Sequence, residues 1–436
     1  MMAIDTQTGL IDIDSEAAPT VERDRLYRLW EEGNWSAKNL DFTTDAVEWK
    51  EQLDEAQHKA FLWNYALFLD GEESVTVTLN PFVQAVQRYE DRIFLATQIA
   101  DEARHHVFFD RFLREVAGIG TGYADTLAIM RRGLTWGYNQ VFTELDRVAD
   151  RLRLNPNSLP LLAQGLAIYH LTVEGMLAHT GQHFMREYCN THSTLPGFAT
   201  GINLIARDES RHIAFGIQLL RELVTTNPSC KAAAIAELNK VLPWAAGVFT
   251  PPNMDWTYIQ VFGYSPEDVF TFGLRSIETK LRRAGIMPEE VLALVKLGAH
   301  RVTPAEQAKQ VKTLIEGGII GTDAPPNVTE PTLDALFTSM CYIADWATPR
   351  NPPLHATIQW IFDDAQPRHL VLGEAGGARA VVGRAAQPRL TLRCSAADWG
   401  RIAGGRLNQQ QAVLTRRLRI SGDWGMALRL PKILPA

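Results

Sequence analysis

Apolar residues recur at helical spacing through most of the first three hundred positions. Residues 1–20 show no clear period and read as a loose arm, and from Arg23 onward the pattern is helical. Asp54, with Gln57 three positions later, predicts a capping box. The helix it opens runs through HKAFLWNYALFLDGEESVTVTLNPF and ends near Pro81. A short helix follows from Val83 to Tyr89, then a long one from Asp91 to Val116, closed by Gly118 and Gly120. Further long helices fit 122–152, 158–188 and 197–226, each set between Gly, Pro or Asn clusters, with more helix in 255–317.

The pattern then changes. GGIIGTDAPPNVTEPT (317–332) reads as a linker. One amphipathic helix, 333–346, is followed by strand-like runs at 369–373, 378–383, 390–394 and 417–422 and by short helices around 396–404 and 408–414. The last two strand runs alternate as half-buried strands do, and the first two fit buried strands. The expected organisation is an arm (1–22), a helical domain (23–316), a linker (317–332) and a small α+β domain (333–436).

A length of 436 residues suits two or three domains at roughly 100–200 residues each. Hydrophobic content of 46% and charged content of 21% are ordinary for a globular chain. The net charge of −7 gives no overall field that would draw the chain to nucleic acid or anionic lipid. Cys189, Cys230, Cys341 and Cys394 lie far apart, which suits reduced thiols rather than a disulfide framework or a zinc site. The start, MMAIDTQTGLIDIDSEAAP, has no apolar core like that of a signal peptide, and no run of about 18 apolar residues follows. A cytoplasmic location without a membrane span is expected.

One repeat stands out. Residues 101–105 read Asp-Glu-Ala-Arg-His and residues 208–212 read Asp-Glu-Ser-Arg-His. In each, Glu and His stand three apart on a predicted helix, so they share a face one turn apart. Glu72 lies 30 residues before Glu102, and Glu174 lies 35 before Glu209. That is the distance needed to climb a helix, turn, and return to the same height. Four helices thus bring four carboxylates and two imidazoles to one point, the di-metal arrangement of four-helix bundles. Hard carboxylate oxygens suit Mn and Fe and can bridge two ions. The candidate ligands are Glu72, Glu102, His105, Glu174, Glu209 and His212. Spacing leaves Glu73 open as an alternative to Glu72, whereas His106 lies about 100° around the helix from His105. Asp101 and Asp208 are candidate partners for the far side of the ligand histidines, each for the opposite motif. Arg104 and Arg211 are candidates to balance buried negative charge.

These residues resemble the ligand-binding oxidases related to the ribonucleotide reductase small subunit. The resemblance covers about 23–225 and rests on Asp41, Phe42 and Asp45, GEESVT (71–76), DEARHHVFF (101–109), YHLTVEG (169–175) and LIARDESRHIAFGIQLL (204–220). It implies a ferritin-like bundle with extra helices, a manganese–iron centre (alternatively two iron ions), molecular oxygen as co-substrate, and a long-chain fatty acid or other apolar ligand. It favours Glu72 over Glu73. It further implies an ether cross-link between Val75 and Tyr169. In many true reductase subunits a radical tyrosine stands four residues after the first ligand histidine; here that position is Phe109. Residues 333–436 resemble the sterol-carrier-protein lipid-binding domain, carried by LTLRCSAADWGRIAGGRLNQQQAVLTRRLRISGDWGMALRLPKIL (390–434).

The expected activity is a di-metal oxidase or oxygenase acting on a C–H bond of a lipid-like or other apolar molecule. Two other readings stay open, a radical-generating reductase subunit and a non-catalytic metal or lipid carrier. A homodimer is also left open.

Overall fold

The computed structural model describes residues 4–5, 8–347, 355–373 and 377–434. These divide into two compact units, 1–287 and 288–436.

The first unit is helical. Its α-helices are α1 (Arg23–Glu32), α2 (Thr43–Glu51), α3 (Glu55–Thr78), α4 (Asn80–Ala85), α5 (Tyr89–Glu115), α6 (Tyr123–Met130), α7 (Trp136–Leu154), α8 (Leu159–Leu166), α9 (His179–His192), α10 (Pro196–Thr226), α11 (Pro228–Ala245), α12 (Thr257–Gln260) and α13 (Pro266–Arg283). The capping box at Asp54 is present, with Gln57 as its reciprocal partner. Pro81 sits in the first turn of α4, where its missing N–H costs nothing. It starts a new helix there rather than ending α3.

Between α8 and α9 the chain continues as a π-helical segment, Ala167–Ala178, so the expected single helix 158–188 is a composite reaching His192. Leu159–His192 is long and apolar enough to cross a membrane by length and composition, but 89% of its apolar window is buried inside the protein. The expected 122–152 helix is likewise broken, by a 3₁₀ turn at Arg131–Gly133.

The packing follows directly from the stripes. On α5 the buried positions include Phe94, Gln98, Asp101, His105, Phe108 and Phe112, a 3.6-residue period with polar groups set in the middle of an apolar stripe. On α10 the same pattern runs Ile202, Ile205, Glu209, His212, Phe215 and Leu219. Two glycines let α10 approach its neighbours. A Cβ on Gly201 would stand 2.1 Å from the Phe108 ring, and one on Gly216 would stand 2.2 Å from His170.

The N-terminal arm is not loose. Ile11 and Ile13 are buried, and the Ile11 N–H donates to Ser210 Oγ at 3.1 Å. Asp14 accepts from the buried Lys280 ammonium at 2.8 Å and lies 3.0 Å from His179 Nε2. Two alternating isoleucines are too few to show a period, yet enough to anchor a strap.

The second unit starts earlier than the sequence suggests. It comprises α14 (Leu292–Val295), α15 (Pro304–Glu316), α16 (Glu330–Ala347), α17 (Ala396–Ala403), α18 (Gln409–Leu414) and α19 (Trp424–Ile433) around one five-stranded sheet. The strands are β1 (Ala356–Phe362), β2 (Arg368–Leu372), β3 (Arg379–Val382), β4 (Leu390–Cys394) and β5 (Arg419–Gly422), in the order β3-β2-β1-β4-β5. Among the described residues only the β1–β4 pairing is parallel, with Trp360 opposite Leu392.

Three sequence expectations change here. The central strand β1 is absent from them, because its ATIQWIF run follows prolines and is too short to show its alternation. Strand β3 is an edge, with Val382 52% exposed, not a buried strand. The 317–332 segment is packed rather than a linker. Ile319 is buried in the same core as Leu314, Leu336 and Trp360, and the Asn327 N–H donates to the Gly317 carbonyl at 3.0 Å.

Candidate metal centre

The six candidate ligands meet in the middle of the first unit, each between 0% and 6% exposed. Helix α3 supplies Glu72, α5 supplies Glu102 and His105, the π-helical segment supplies Glu174, and α10 supplies Glu209 and His212. Two overlapping ligand groups form: Glu72, Glu102, His105 and Glu209 in one, and Glu102, Glu174 and His212 in the other. His105 Nδ1 lies 3.4 Å from Glu72, 3.6 Å from Glu102 and 3.7 Å from Glu209. His212 Nδ1 lies 3.2 Å from Glu102, 3.6 Å from Glu174 and 3.5 Å from Glu209. Glu102 and Glu209 each present one oxygen toward each histidine, so both can bridge two ions.

The donors fit a metal pair on independent grounds. His105 Nδ1, His212 Nδ1, Glu174 Oε2 and Glu209 Oε2 are all buried without a hydrogen-bond partner. Buried polar atoms normally have partners, and orphans converging on one point need a cation. The neighbouring alternatives face elsewhere. Glu73 is part-exposed and pairs with Arg131 at 3.0 Å, and His106 Nδ1 lies 3.2 Å from the Leu69 carbonyl.

The far side of each histidine is held by the other motif's aspartate. His105 Nε2 lies 3.4 Å from Asp208, and His212 Nε2 lies 3.2 Å from Asp101. This crossing leaves Nδ1 of both rings for a metal. Trp30 donates to Asp101 at 2.9 Å and Trp35 to Asp208 at 2.7 Å. Arg211, 1% exposed, spans both aspartates at 3.1 and 2.7 Å, and Arg104 reaches Asp101 at 3.0 Å.

Electrostatics follow from burial. Desolvation raises the Glu72 carboxyl well above its usual range and the Glu174 carboxyl to about 8. Desolvation, with Glu102 close by, also raises Glu209. Burial opposes ionisation of Glu102 too, but His212 and His105 outweigh it and hold that carboxyl low. Burial would likewise lower both imidazoles, yet Glu72 beside His105 and Glu102 beside His212 raise them. Without metal, the site balances its carboxylates with protons. A ligating imidazole is neutral, so two cations replace those protons.

Tyr169 and Val75 are placed by the same helices. Their side chains line one cavity, together with Glu72, Glu102, Glu174 and Glu209. The Tyr169 hydroxyl donates to Glu102 at 2.8 Å. An α-helix would set residues five apart about 140° around its axis. The wider π turn brings Tyr169 and Glu174 to the same cavity. Apart from Asn64 and Tyr138, the cavity's other walls are apolar, among them Leu67, Phe68, Phe142 and Val173.

Two residues of the site escaped the sequence reading. Gln98, fully buried one turn before Glu102, donates to Glu174 at 2.7 Å and to the Tyr169 hydroxyl at 3.1 Å. His170 Nε2 lies 3.4 Å from Gln98 Oε1. The available signal was a lone glutamine inside the apolar stripe of α5.

Burial, reinforced by the charge on His212, pushes the His170 imidazole down to about 3. The unfolded chain therefore binds a proton below pH 6.5 that the folded chain refuses. This stability is fully present above pH 6.5 and is lost as pH falls toward 3, by up to about 1.4 kcal/mol per unit. Urea unfolding of wild type and His170→Gln across that range is expected to show a shallower slope for the variant. Parallel slopes would refute the assignment.

Four helices that converge carboxylates and imidazoles on a paired-ion geometry define a di-metal carboxylate protein. The model for "Ribonucleotide reductase, small chain" matches residues 21–242, and the chain belongs to that family. Residues 337–435 match the SCP-2 sterol transfer family. Among solved structures, the chain is similar to the R2-like ligand-binding oxidase from Sulfolobus acidocaldarius, at 28% identity and a TM-score of 0.51, covering 62% of this chain and 93% of that one. It is also similar to a valine-to-alanine variant of an R2-like ligand-binding oxidase with an anaerobically reconstituted Mn/Fe cofactor, at 25% identity, with a TM-score of 0.51 and coverage of 61% and 93%.

Proposed function

We propose that the chain is a di-metal oxidase that holds manganese and iron, or two iron ions, and uses molecular oxygen to oxidise a C–H bond of a lipid-like or other apolar molecule. The observation that carries this reading is the cavity, which joins four carboxylates to an apolar wall and contains both Tyr169 and Val75. When bound, the metal pair supplies the electrons and the oxidising power that oxygen chemistry on an unactivated C–H bond requires. The chain does the rest. Glu102 and Glu209 would be shared between the two ions, while Glu72 with His105 and Glu174 with His212 would hold one ion each. Asp101 and Asp208 fix the ring orientation of the histidines. Gln98 holds Glu174 and the Tyr169 hydroxyl in place, and the apolar wall keeps bulk water away from the reacting atoms.

Phe109 supports an oxidase over a radical-generating subunit. It is 1% exposed and stacks on Phe68 with ring centroids 5.2 Å apart, so the radical-tyrosine position carries no phenol. In the second unit, a sterol-carrier-like module on the same chain would raise the local concentration of an apolar substrate by tethering.

The internal pair gives the direct test. Joining Val75 to the Tyr169 oxygen breaks one C–H and one O–H bond, forms one C–O bond and releases two protons and two electrons, which molecular oxygen accepts. Aerobic reconstitution with Mn(II) and Fe(II) is expected to lower the intact mass by two hydrogens and to join the two peptides in a digest. Tyr169→Phe is expected to abolish the joining and retain the metals. Unmodified, separate peptides after oxygen exposure would remove the cross-link, and metal and lipid binding without oxygen uptake would favour a carrier.

A further inference from the structure

We propose that helix α19, on the second unit, is a docking face for an anionic lipid bilayer. The inference goes beyond the oxidase reading and does not depend on what the metal centre does. Helix α19 is split cleanly by burial. Met426, Leu430 and Ile433 face the core of the unit at 2%, 2% and 8% exposure. The opposite face carries Trp424, 57% exposed, and Leu428, 80% exposed, with exposed Arg429 and Lys432 beside them. Trp424, Leu428 and Lys432 stand at successive four-residue steps, so they form one row along the helix.

A single exposed leucine is ordinary on a protein surface. A tryptophan and a leucine one turn apart, flanked by cations in a helix that contains no acidic residue, are not. Tryptophan favours the level of lipid headgroups, because its ring is apolar and its N–H is polar. Lysine and arginine stems cover apolar surface while their charges stay in water.

Charge selects the occupant. Residues 401–436 contain seven Lys or Arg and a single acidic residue, Asp423, in a chain whose net charge is −7; two of the seven, Arg401 and Arg417, pair with Asp398 at 2.8 and 2.7 Å, which leaves five. Asp423 is engaged, accepting from Arg389 at 2.8 Å and from the Met426 N–H at 3.0 Å as the cap of α19. The overall charge therefore says nothing of this end of the chain, where the local field is positive. A basic face with one aromatic and one aliphatic anchor is complementary to headgroups of negative charge over an apolar layer.

The test is sedimentation of the full, metal-loaded chain with phosphatidylcholine vesicles, with and without phosphatidylserine. Wild type is expected to bind the phosphatidylserine vesicles and to be released by added salt. Charge reversal in R429E/K432E is expected to lower the bound fraction at least about tenfold. W424S/L428S is expected to lower it as well, since the apolar anchors are lost. Both variants leave Met426, Leu430 and Ile433 untouched, so unchanged thermal melts are expected. Equal binding by wild type and both variants would overturn the proposal, as would no binding of wild type to anionic vesicles. A shift of wild type from dimer to monomer in W424S/L428S, without vesicle binding, would instead make this face a contact between two copies.

Discussion

Glu102→Ala is expected to lose both metal ions, whereas His212→Ala is expected to lose one. Glu102 belongs to both ligand groups and offers an oxygen to each histidine, at 3.6 and 3.2 Å. His212 serves only the group with Glu102 and Glu174. Removing a bridging carboxylate takes a donor from each ion and also reduces the negative charge that keeps two cations close together. Metal analysis of purified variants should therefore read near zero per chain for Glu102→Ala and near one for His212→Ala. Oxygen uptake should vanish in both.

The fold itself should survive. Without metal, the site crowds four buried carboxylates, and desolvation already raises Glu72, Glu174 and Glu209. Glu102 is not among them: both imidazoles hold it ionised and the Tyr169 hydroxyl donates to it, so its deletion is expected to lower the metal-free Tm, while the increase on adding metal disappears. Retention of two ions by Glu102→Ala would show that the bridging assignment is wrong.

The second large effect concerns where the lipid-carrier-like unit begins. A fragment of residues 288–436 is expected to unfold in one cooperative step, and a fragment of 333–436 is expected not to fold stably. The shorter piece lacks Leu314 and Ile319, both 4% exposed in the same core as Leu336, Phe337 and Trp360. It also lacks Gln310, which donates to Ser339 at 2.7 Å, and Arg301, which pairs with Asp345 at 2.7 Å. Each buried aliphatic lost costs about 2–5 kcal/mol, set against a typical domain stability of about 5–15 kcal/mol. Urea titrations followed by circular dichroism compare the two directly. Equal midpoints would restore 317–332 as a linker.

The paired Asp-Glu-x-Arg-His motifs made the centre legible before any coordinates. A three-residue Glu–His step has one meaning on a helix, and two copies with upstream glutamates leave few ways to arrange a bundle. The helical front, the α+β end and four of the five strands were legible for the same reason, since their periodicity is local. Local spacing does not say which of Glu72 and Glu73 turns inward. That was decided by Arg131, 58 residues beyond Glu73, which holds Glu73 at the surface.

Other features depended on partners far away in the chain. The π-helical segment that carries Tyr169 and Glu174 has no sequence period of its own; it is adopted because the surrounding helices define where those side chains must go. Gln98 reads as a flaw in an apolar stripe until Glu174 and Tyr169 are seen beside it, 76 and 71 residues away. The central strand β1 becomes recognisable only between β2 and β4, because a seven-residue run gains its identity from its ladder partners. The sequence by itself determined the class of each element and the chemistry of the ligands, through interactions within a few residues. The tertiary structure alone decided which carboxylates face both histidines, where the second unit starts and which face of α19 meets solvent, because burial is set by contacts that no local pattern records.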